Sequence, residues 1–175
     1  VLEDGDVTPS APTSEAHYET VFDEASLQRW LQRLDDAALF SFDTETTSLN
    51  YMQAEIVGVS FAVAAGEAAY VPLAHNYAGV PPQLDRESVL ARLKPMLEDT
   101  TRAKVGQNLK YDMSVLARHG IELAGARFDT MLESYVLNSV ASRHNMDDLA
   151  MKYLGASTTH SEDAAGQGAK QITFA

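Results

Sequence analysis

The sequence contains no cysteine, so neither a disulfide framework nor a thiolate zinc site is open to it. It has no apolar run near the roughly 20 residues that span a bilayer, which argues against membrane insertion. No signal-peptide pattern opens it, and a cytoplasmic location without membrane contact is the expectation. Basic residues are scarce: 13 Lys and Arg stand against 25 Asp and Glu, a net charge of −12. That balance opposes broad binding to polyphosphate, so any nucleic-acid role must act locally, through metal ions and a few cations. The chain lacks a P-loop, a dinucleotide-type glycine loop, a His-Glu-x-x-His motif and a Ser/His/Asp arrangement, and its five histidines are scattered.

What is present suits one globular domain, since 175 residues at 45% hydrophobic content can bury a sizeable core. Residues 1–16 are acidic, rich in Pro, Ser and Thr, and without periodicity; they read as a linker or disordered arm. The chain opens on Val and closes on Ile-Thr-Phe-Ala, so a piece of a longer protein is expected. "HYETVFD" is a strand candidate, and Asp23 can cap a helix with Leu27, Trp30, Leu31 and Leu34 at helical spacing. "ALFSFD" reads as a central strand, and "EIVGVSFAVAA" with "GEAAYVPL" as a hairpin. Asp85 can cap a helix carrying Val89, Leu90, Leu93, Met96 and Leu97, which Pro95 should kink or shorten. "AKVGQN" is a short strand that leads into the helix "LKYDMSVLARHG", closed by Gly120. "ARFD" is a brief strand. Thr130-x-x-Glu133 reads as a capping box for the helix "MLESYVLNSV", and "MDDLAMKYLG" is a further helix ending at Gly155. From Ala156 on the pattern dissolves. The elements together predict an α/β domain with a mixed sheet.

The strand "FSFD" runs straight into Asp43 and Glu45, two residues apart and therefore on one face of an extended strand. Such a pair repels, and each acid raises the other's pKa unless a cation stands between them. A lone Asp-x-Glu serves equally well as a solvated turn; a two-metal site needs further acids from other elements. Asp112, one turn into the helix after "AKVGQ", can supply one if the two strands are neighbours, although the helix dipole alone also favours an acid there. Gln107 and Asn108 stand just before it as uncharged donors, Asn108 equally as an N-cap. Lys110, Arg143 and His144 can meet phosphate or simply be solvated, and Tyr111 can stack on a base or join the core.

Taken in order, "FDTETTSL", "VGQNLKYD", "FDTMLESYVLNS" and "RHNMDDLA" resemble the proofreading 3′→5′ exonuclease domain of bacterial DNA polymerase I, from about Tyr18 to Phe174. The resemblance implies a ribonuclease H-like α/β fold, a mixed β-sheet flanked by helices, and four acids that hold two Mg²⁺ or Mn²⁺ ions. Asp43 and Glu45 match its first motif and Asp112 its second, as catalytic residues and metal ligands. Its contacts to the frayed single-stranded DNA 3′ end map onto Thr46, Leu49, Gln107, Asn108, Tyr111 and Arg143. It further implies a polymerase domain after this one, a 5′ nuclease domain before the acidic arm, and a monomer. Residues 17–175 would form the exonuclease domain, incomplete before its last helix. The family's third motif, Tyr-x-x-x-Asp, would follow "QITFA", so this chain alone is expected to be poorly active. Ser161 stands where the family can place an aromatic against the strand, which would weaken stacking by roughly 1–3 kcal/mol per base. The alternatives are a stand-alone ribonuclease D-like exoribonuclease and a non-catalytic module packed beside a polymerase. Every acid the chain is long enough to hold is present, which favours the active form.

Overall fold

The computed structural model describes residues 16–140 and 143–156. The arm expected over the first sixteen residues, all but its last, and the polar segment beyond Ala156, with Ser161, lie outside them. Among the described residues six strands form one mixed sheet: β1 (His17–Thr20), β2 (Leu39–Thr46), β3 (Ile56–Ala64), β4 (Glu67–Pro72), β5 (Ala103–Gly106) and β6 (Ala126–Asp129). Their order across the sheet is β1-β4-β3-β2-β5-β6. The expected hairpin is β3–β4, antiparallel, and β2 pairs antiparallel with β3 on one side and parallel with β5 on the other. Among the described residues five helices accompany the sheet: α1 (Glu24–Asp36), α2 (Arg86–Leu97), α3 (Leu109–Arg118), α4 (Thr130–Leu137) and α5 (Met146–Leu154).

Side-chain alternation gives the sheet two unlike faces. Phe42 stands opposite Phe61 and Phe61 opposite Ala69, while Thr44, Val59 and Val71 form the next row. These rows are buried, and their apolar members share one core with Leu27, Trp30, Leu31 and Leu34 of α1, Val89, Leu90, Leu93 and Leu97 of α2, and Val115 and Leu116 of α3. The Trp30 ring lies 5.8 Å from that of Phe61, a tilted pair that seats α1 on this face. The other face carries the rows Ser41, Ala62, Ala68 and Asp43, Ser60, Tyr70, followed by Glu45, Gly58, Pro72. Small and polar residues dominate it. The acids of "FDTE" therefore sit on the face away from the helical core.

The caps depart from expectation in an instructive way. Asp23 and Asp85 cap α1 and α2 as expected, each accepting from the backbone N–H three residues on. Helix α2 runs through Pro95 to Leu97 rather than stopping before it, because the ring stands in the last turn, where few further backbone bonds depend on it. Thr130 is not a cap: it lies inside α4, and the residue that caps α4 is Asp129. Asp129 Oδ1 accepts from Met131 N at 3.0 Å and Leu132 N at 3.2 Å. The same carboxylate also caps α3, accepting from Asn108 N at 3.1 Å and Leu109 N at 2.8 Å. Asn108 holds the N-cap position of α3 at φ 60°, ψ 45°, with no side-chain capping bond. It is the one non-glycine residue at positive φ among the described residues, a conformation that Asn tolerates better than most side chains. One acid thus fixes the starts of two helices. Helix α4 also ends at Leu137, three residues short of the expected run, at the extended C-cap Asn138.

Replacing Asp129 by Ala strips four backbone donors of their acceptor at once. Two caps at about 1–2 kcal/mol each give an expected loss of about 2–4 kcal/mol, read from urea unfolding. A loss below about 0.5 kcal/mol would contradict the double cap.

Candidate active site

The site begins where β5 runs out. Strand β5 pairs with β2 in register Leu39–Ala103, Phe40–Lys104 and Ser41–Val105, and then turns away at Gly106. Gly106 is needed there, since a Cβ would stand 2.4 Å from the Leu109 side chain and 3.0 Å from the Phe42 carbonyl. Thr44, further along β2, has no strand partner on that side. Asp112 of α3 takes the place of one: its Oδ1 accepts from Thr44 N at 2.9 Å and from Thr44 Oγ1 at 2.6 Å. Asp112 is only 2% exposed. Helix α3 thus carries Asp112 to β2, and the Thr44 bonds are what hold it there.

Asp43 and Glu45 are half-buried on the opposite face of β2 from Thr44. Burial, then the charges of Asp112 and Glu45, push the Asp43 carboxyl up to about 7. Burial and then Asp112 raise Glu45 as well. Asp112 is raised mainly by burial, with the Thr44 bonds pulling the other way and Asp129 adding to the rise. Among the described residues no cation lies within ion-pairing distance of any of the three. Elsewhere the acids are matched by arginines, as in Asp35–Arg102 and Glu55–Arg118. The three are near enough to disfavour one another's charge, yet among the described residues no three His, Cys, Asp or Glu side chains are gathered tightly enough to enclose an ion. Their donor chemistry, hard carboxylate oxygens and nothing else, is the kind that Mg²⁺ and Mn²⁺ accept.

The residues around the acids are tied down by α3. Tyr111 packs its ring against the core and donates its hydroxyl to the Ser48 carbonyl, with Thr46 Oγ1 also bonded to the phenol. Arg118, at the other end of α3, donates to the carbonyls of Tyr51 and Ala54 and to the Glu55 carboxylate. The loop between them holds Leu49 out at 95% exposure, free to meet a ligand. Gln107 is engaged at both ends of its amide: Nε2 donates to the His144 carbonyl at 2.8 Å and Oε1 accepts from Thr130 Oγ1. His144 is buried and bonded through Nδ1 to Ser134 Oγ at 2.8 Å, with its ring 3.7 Å from that of Tyr135. It is a brace, and Arg143 and Lys110 stay exposed. Beside Arg143 a groove of about 450 Å³ opens, lined also by Met131, Tyr135, Ser139 and Asn145.

Sequence reading missed a neighbour of the acids. Tyr70 stands in the row of Asp43 and Ser60, and its hydroxyl bonds His75 Nε2. Burial, with Glu45 and then Tyr77 nearby, raises the phenol above its ordinary range. The signal was the alternation of the hairpin, which sets Tyr70 and Asp43 on one face once the register is known.

The raised Asp43 makes a testable sign. A carboxyl whose folded pKa rises from 3.8 to about 7 contributes stability that is fully present below about pH 4 and is lost as pH climbs towards 7. In EDTA, the stability advantage of the wild-type chain over Asp43→Asn should fall by about 2–4 kcal/mol between about pH 4 and pH 8. A pH-independent difference between the two would contradict the burial of an unpaired acid.

A family profile described as 3′-5′ exonuclease matches residues 18–174. The chain is 60% identical over 163 residues to DNA polymerase I of Pseudomonas aeruginosa, covering 92% of this chain and 18% of the relative. It is 42% identical over 180 residues to DNA polymerase I of Rhizobium leguminosarum, covering 93% of this chain and again 18% of the relative. The chain therefore spans under a fifth of the length of either. Among solved structures, the polymerase domain of Pol1 from M. smegmatis in complex with DNA primer-template and dNTP superposes with a TM-score of 0.64 at 21% identity, over 80% of this chain and 23% of that one. Brucella melitensis NrnC with bound Mg²⁺ superposes with a TM-score of 0.56 at 20% identity, over 89% of this chain and 70% of that one. These structural likenesses speak for the ribonuclease H-like fold. With its sheet, its acids and its polymerase relatives set side by side, the chain belongs to the 3′-5′ exonuclease family of DNA polymerase I.

Proposed function

We propose that this domain removes mononucleotides from the 3′ end of single-stranded or frayed DNA as the proofreading exonuclease of a DNA polymerase I. The observation that carries the reading is the group of three acids, Asp43, Glu45 and Asp112, brought together by two elements without a cation to match them. Asp43, Glu45 and Asp112 would supply this chain's share of the ligands to two divalent ions, Mg²⁺ or Mn²⁺; such ions, when bound, supply Lewis acidity to a water and to the scissile phosphodiester. The carboxylates themselves repel phosphate, so substrate engagement and cleavage both depend on neutralising them. Asp112, held by Thr44, is fixed in advance of binding, which spares the site reorganisation during the reaction.

The proposed DNA contacts are those the resemblance implies, and the positions of several side chains support them. Leu49 is positioned to pack against the terminal base, with Thr46 and Tyr111 fixing the loop that carries it. Gln107 and Asn108 border the acids on the α3 side, and Arg143 offers a cation to the phosphate backbone at the groove edge. The reading takes a single strand as the substrate, since fraying costs least at a mismatch. The polymerase relatives favour DNA over RNA as substrate. The same relatives, of which the chain spans under a fifth, support a polymerase domain elsewhere in the whole protein; the resemblance places it after this domain and a 5′ nuclease domain before. No helix among the described residues is long and apolar enough to cross a membrane.

The test uses the domain in a chain that continues as its relatives do, with 5′-labelled single strands and Mg²⁺. Asp43→Ala should lower the rate by about 10³-fold or more, since members of a unit that acts together fail together. Arg143→Ala should raise KM several-fold and leave kcat nearly unchanged, as loss of uniform binding does. Degradation of an RNA strand as fast as a DNA strand would overturn the DNA assignment in favour of a ribonuclease D-like activity.

A further inference from the structure

Three observations single out Tyr70. Its row across the sheet is Asp43–Ser60–Tyr70, so its side chain leaves the sheet on the face of the acids. Its ring does not stand upright but leans along the strand, over Gly58: a Cβ built on Gly58 would lie 2.0 Å from the Tyr70 hydroxyl and 2.4 Å from the ring carbon that bears it. Gly58 is the residue directly opposite Glu45. Opposed Cβ atoms on antiparallel strands are about 4.5–5.5 Å apart, a gap that a glutamate side chain spans. The phenol hydroxyl therefore occupies the notch across from Glu45, and only glycine at position 58 leaves room for it. A register shift follows immediately after Glu45, where Thr46 pairs with Ile56, and such irregularities add local twist.

The hydroxyl is held from its far side. His75 Nε2 bonds it, and the ring centroids of the two residues are 5.9 Å apart. His75 is itself clamped by Gln83, whose Oε1 accepts from His75 N at 2.8 Å and whose Nε2 donates to His75 O at 2.8 Å. A side-chain amide thus pairs with the backbone of His75 as a strand partner would. The start of the loop is pinned too, since the N–H groups of Leu73 and Ala74 both donate to the Val57 carbonyl. A loop that spends two glutamine bonds on one histidine, and that histidine on one phenol, is built to fix a hydroxyl.

We propose that Tyr70, braced by His75 and Gln83, is a positioning residue of the exonuclease site whose hydroxyl holds the Glu45 carboxylate in place. With Glu45 ionised, His75 Nε2–H donates to the Tyr70 oxygen and the Tyr70 O–H donates to Glu45, so the chain of bonds ends on the anion. Glu45 is one of the proposed ligands, and outer partners of this sort orient a ligand and typically change metal affinity or activity by about 10–100-fold when removed. The inference rests on the exonuclease reading of Asp43, Glu45 and Asp112.

The test compares Tyr70→Phe, His75→Leu and His75→Gln in the full chain, beside Asp43→Ala. Phe keeps the ring over Gly58 and removes only the hydroxyl, so folding should be retained. Tyr70→Phe and His75→Leu should each lower kcat on single-stranded DNA by about 10-fold with KM unchanged, and weaken Mn²⁺ binding by about 10-fold in calorimetry without DNA. His75→Gln, whose amide can still donate to the phenol, should recover most of both. Wild-type kcat and Mn²⁺ affinity in Tyr70→Phe, beside an inactive Asp43→Ala, would overturn this inference and leave the exonuclease site standing. A change in KM alone would also overturn it, since the phenol would then serve the DNA and not Glu45. An Asp43→Ala variant that still degrades DNA would overturn the site reading and this inference with it.

Discussion

A parallel pairing that stops early sets the geometry of everything near the acids. Strand β5 leaves β2 after Val105, and the backbone N–H of Thr44 is left for a side chain to satisfy. A buried donor without an acceptor costs about 1–3 kcal/mol, so the position selects for a residue that can reach it. Asp112 does so, and its other Thr44 bond, to Oγ1, fixes the carboxylate in both directions. Because Asp112 lies one turn into α3, the start of that helix must be set with equal care. Gly106 allows the tight turn, Asn108 takes the left-handed conformation, and Asp129 caps the first turn. These local features together place one hydrogen bond.

The same placement creates an electrostatic imbalance that the fold tolerates. Three carboxylates are brought partly out of water without a cation, and each has its proton affinity raised. A fold selected only for stability would pair or expose them, as it does Asp35, Glu55 and Glu98. The opposing contributions come from elsewhere: the Phe40, Phe42 and Phe61 face packs against three helices, and α3 anchors the loop after β2 through Tyr111 and Arg118. Raised acids in a half-open site are a common mark of function, because chemistry needs groups that stability alone would not keep.

Much of this was legible in the sequence, and the limits have physical causes. The strands, the hairpin and the helices α1, α2, α3 and α5 follow from periodicity and caps, and the Asp43–Glu45 face follows from alternation alone. Asp112 was reachable by supposing β2 and β5 to be neighbours. Asp129 went unnoticed because Thr130-x-x-Glu133 has the spacing of a capping box, while the acid one residue earlier serves the starts of both α3 and α4. Tyr70 was invisible for a related reason: its link to Asp43 runs through two inter-strand registers, and its lean depends on a glycine in a third strand. Lys104 shows the same limit. It is fully buried, with Nζ donating to the carbonyls of Asp99 and Arg102, and nothing in a run such as "RAKVG" distinguishes it from a surface lysine.

If Asp43, raised to about 7, is held protonated near pH 6 for want of a cation, a divalent ion must displace its proton when it binds. Titrating Mn²⁺ into the domain near pH 6, by calorimetry in buffers of different ionisation enthalpy, counts those protons. The account predicts release of about one proton per ion near pH 6, falling towards none near pH 9, and its loss in Asp43→Asn. Binding without proton release at any pH, or with the same release in Asp43→Asn, would contradict it.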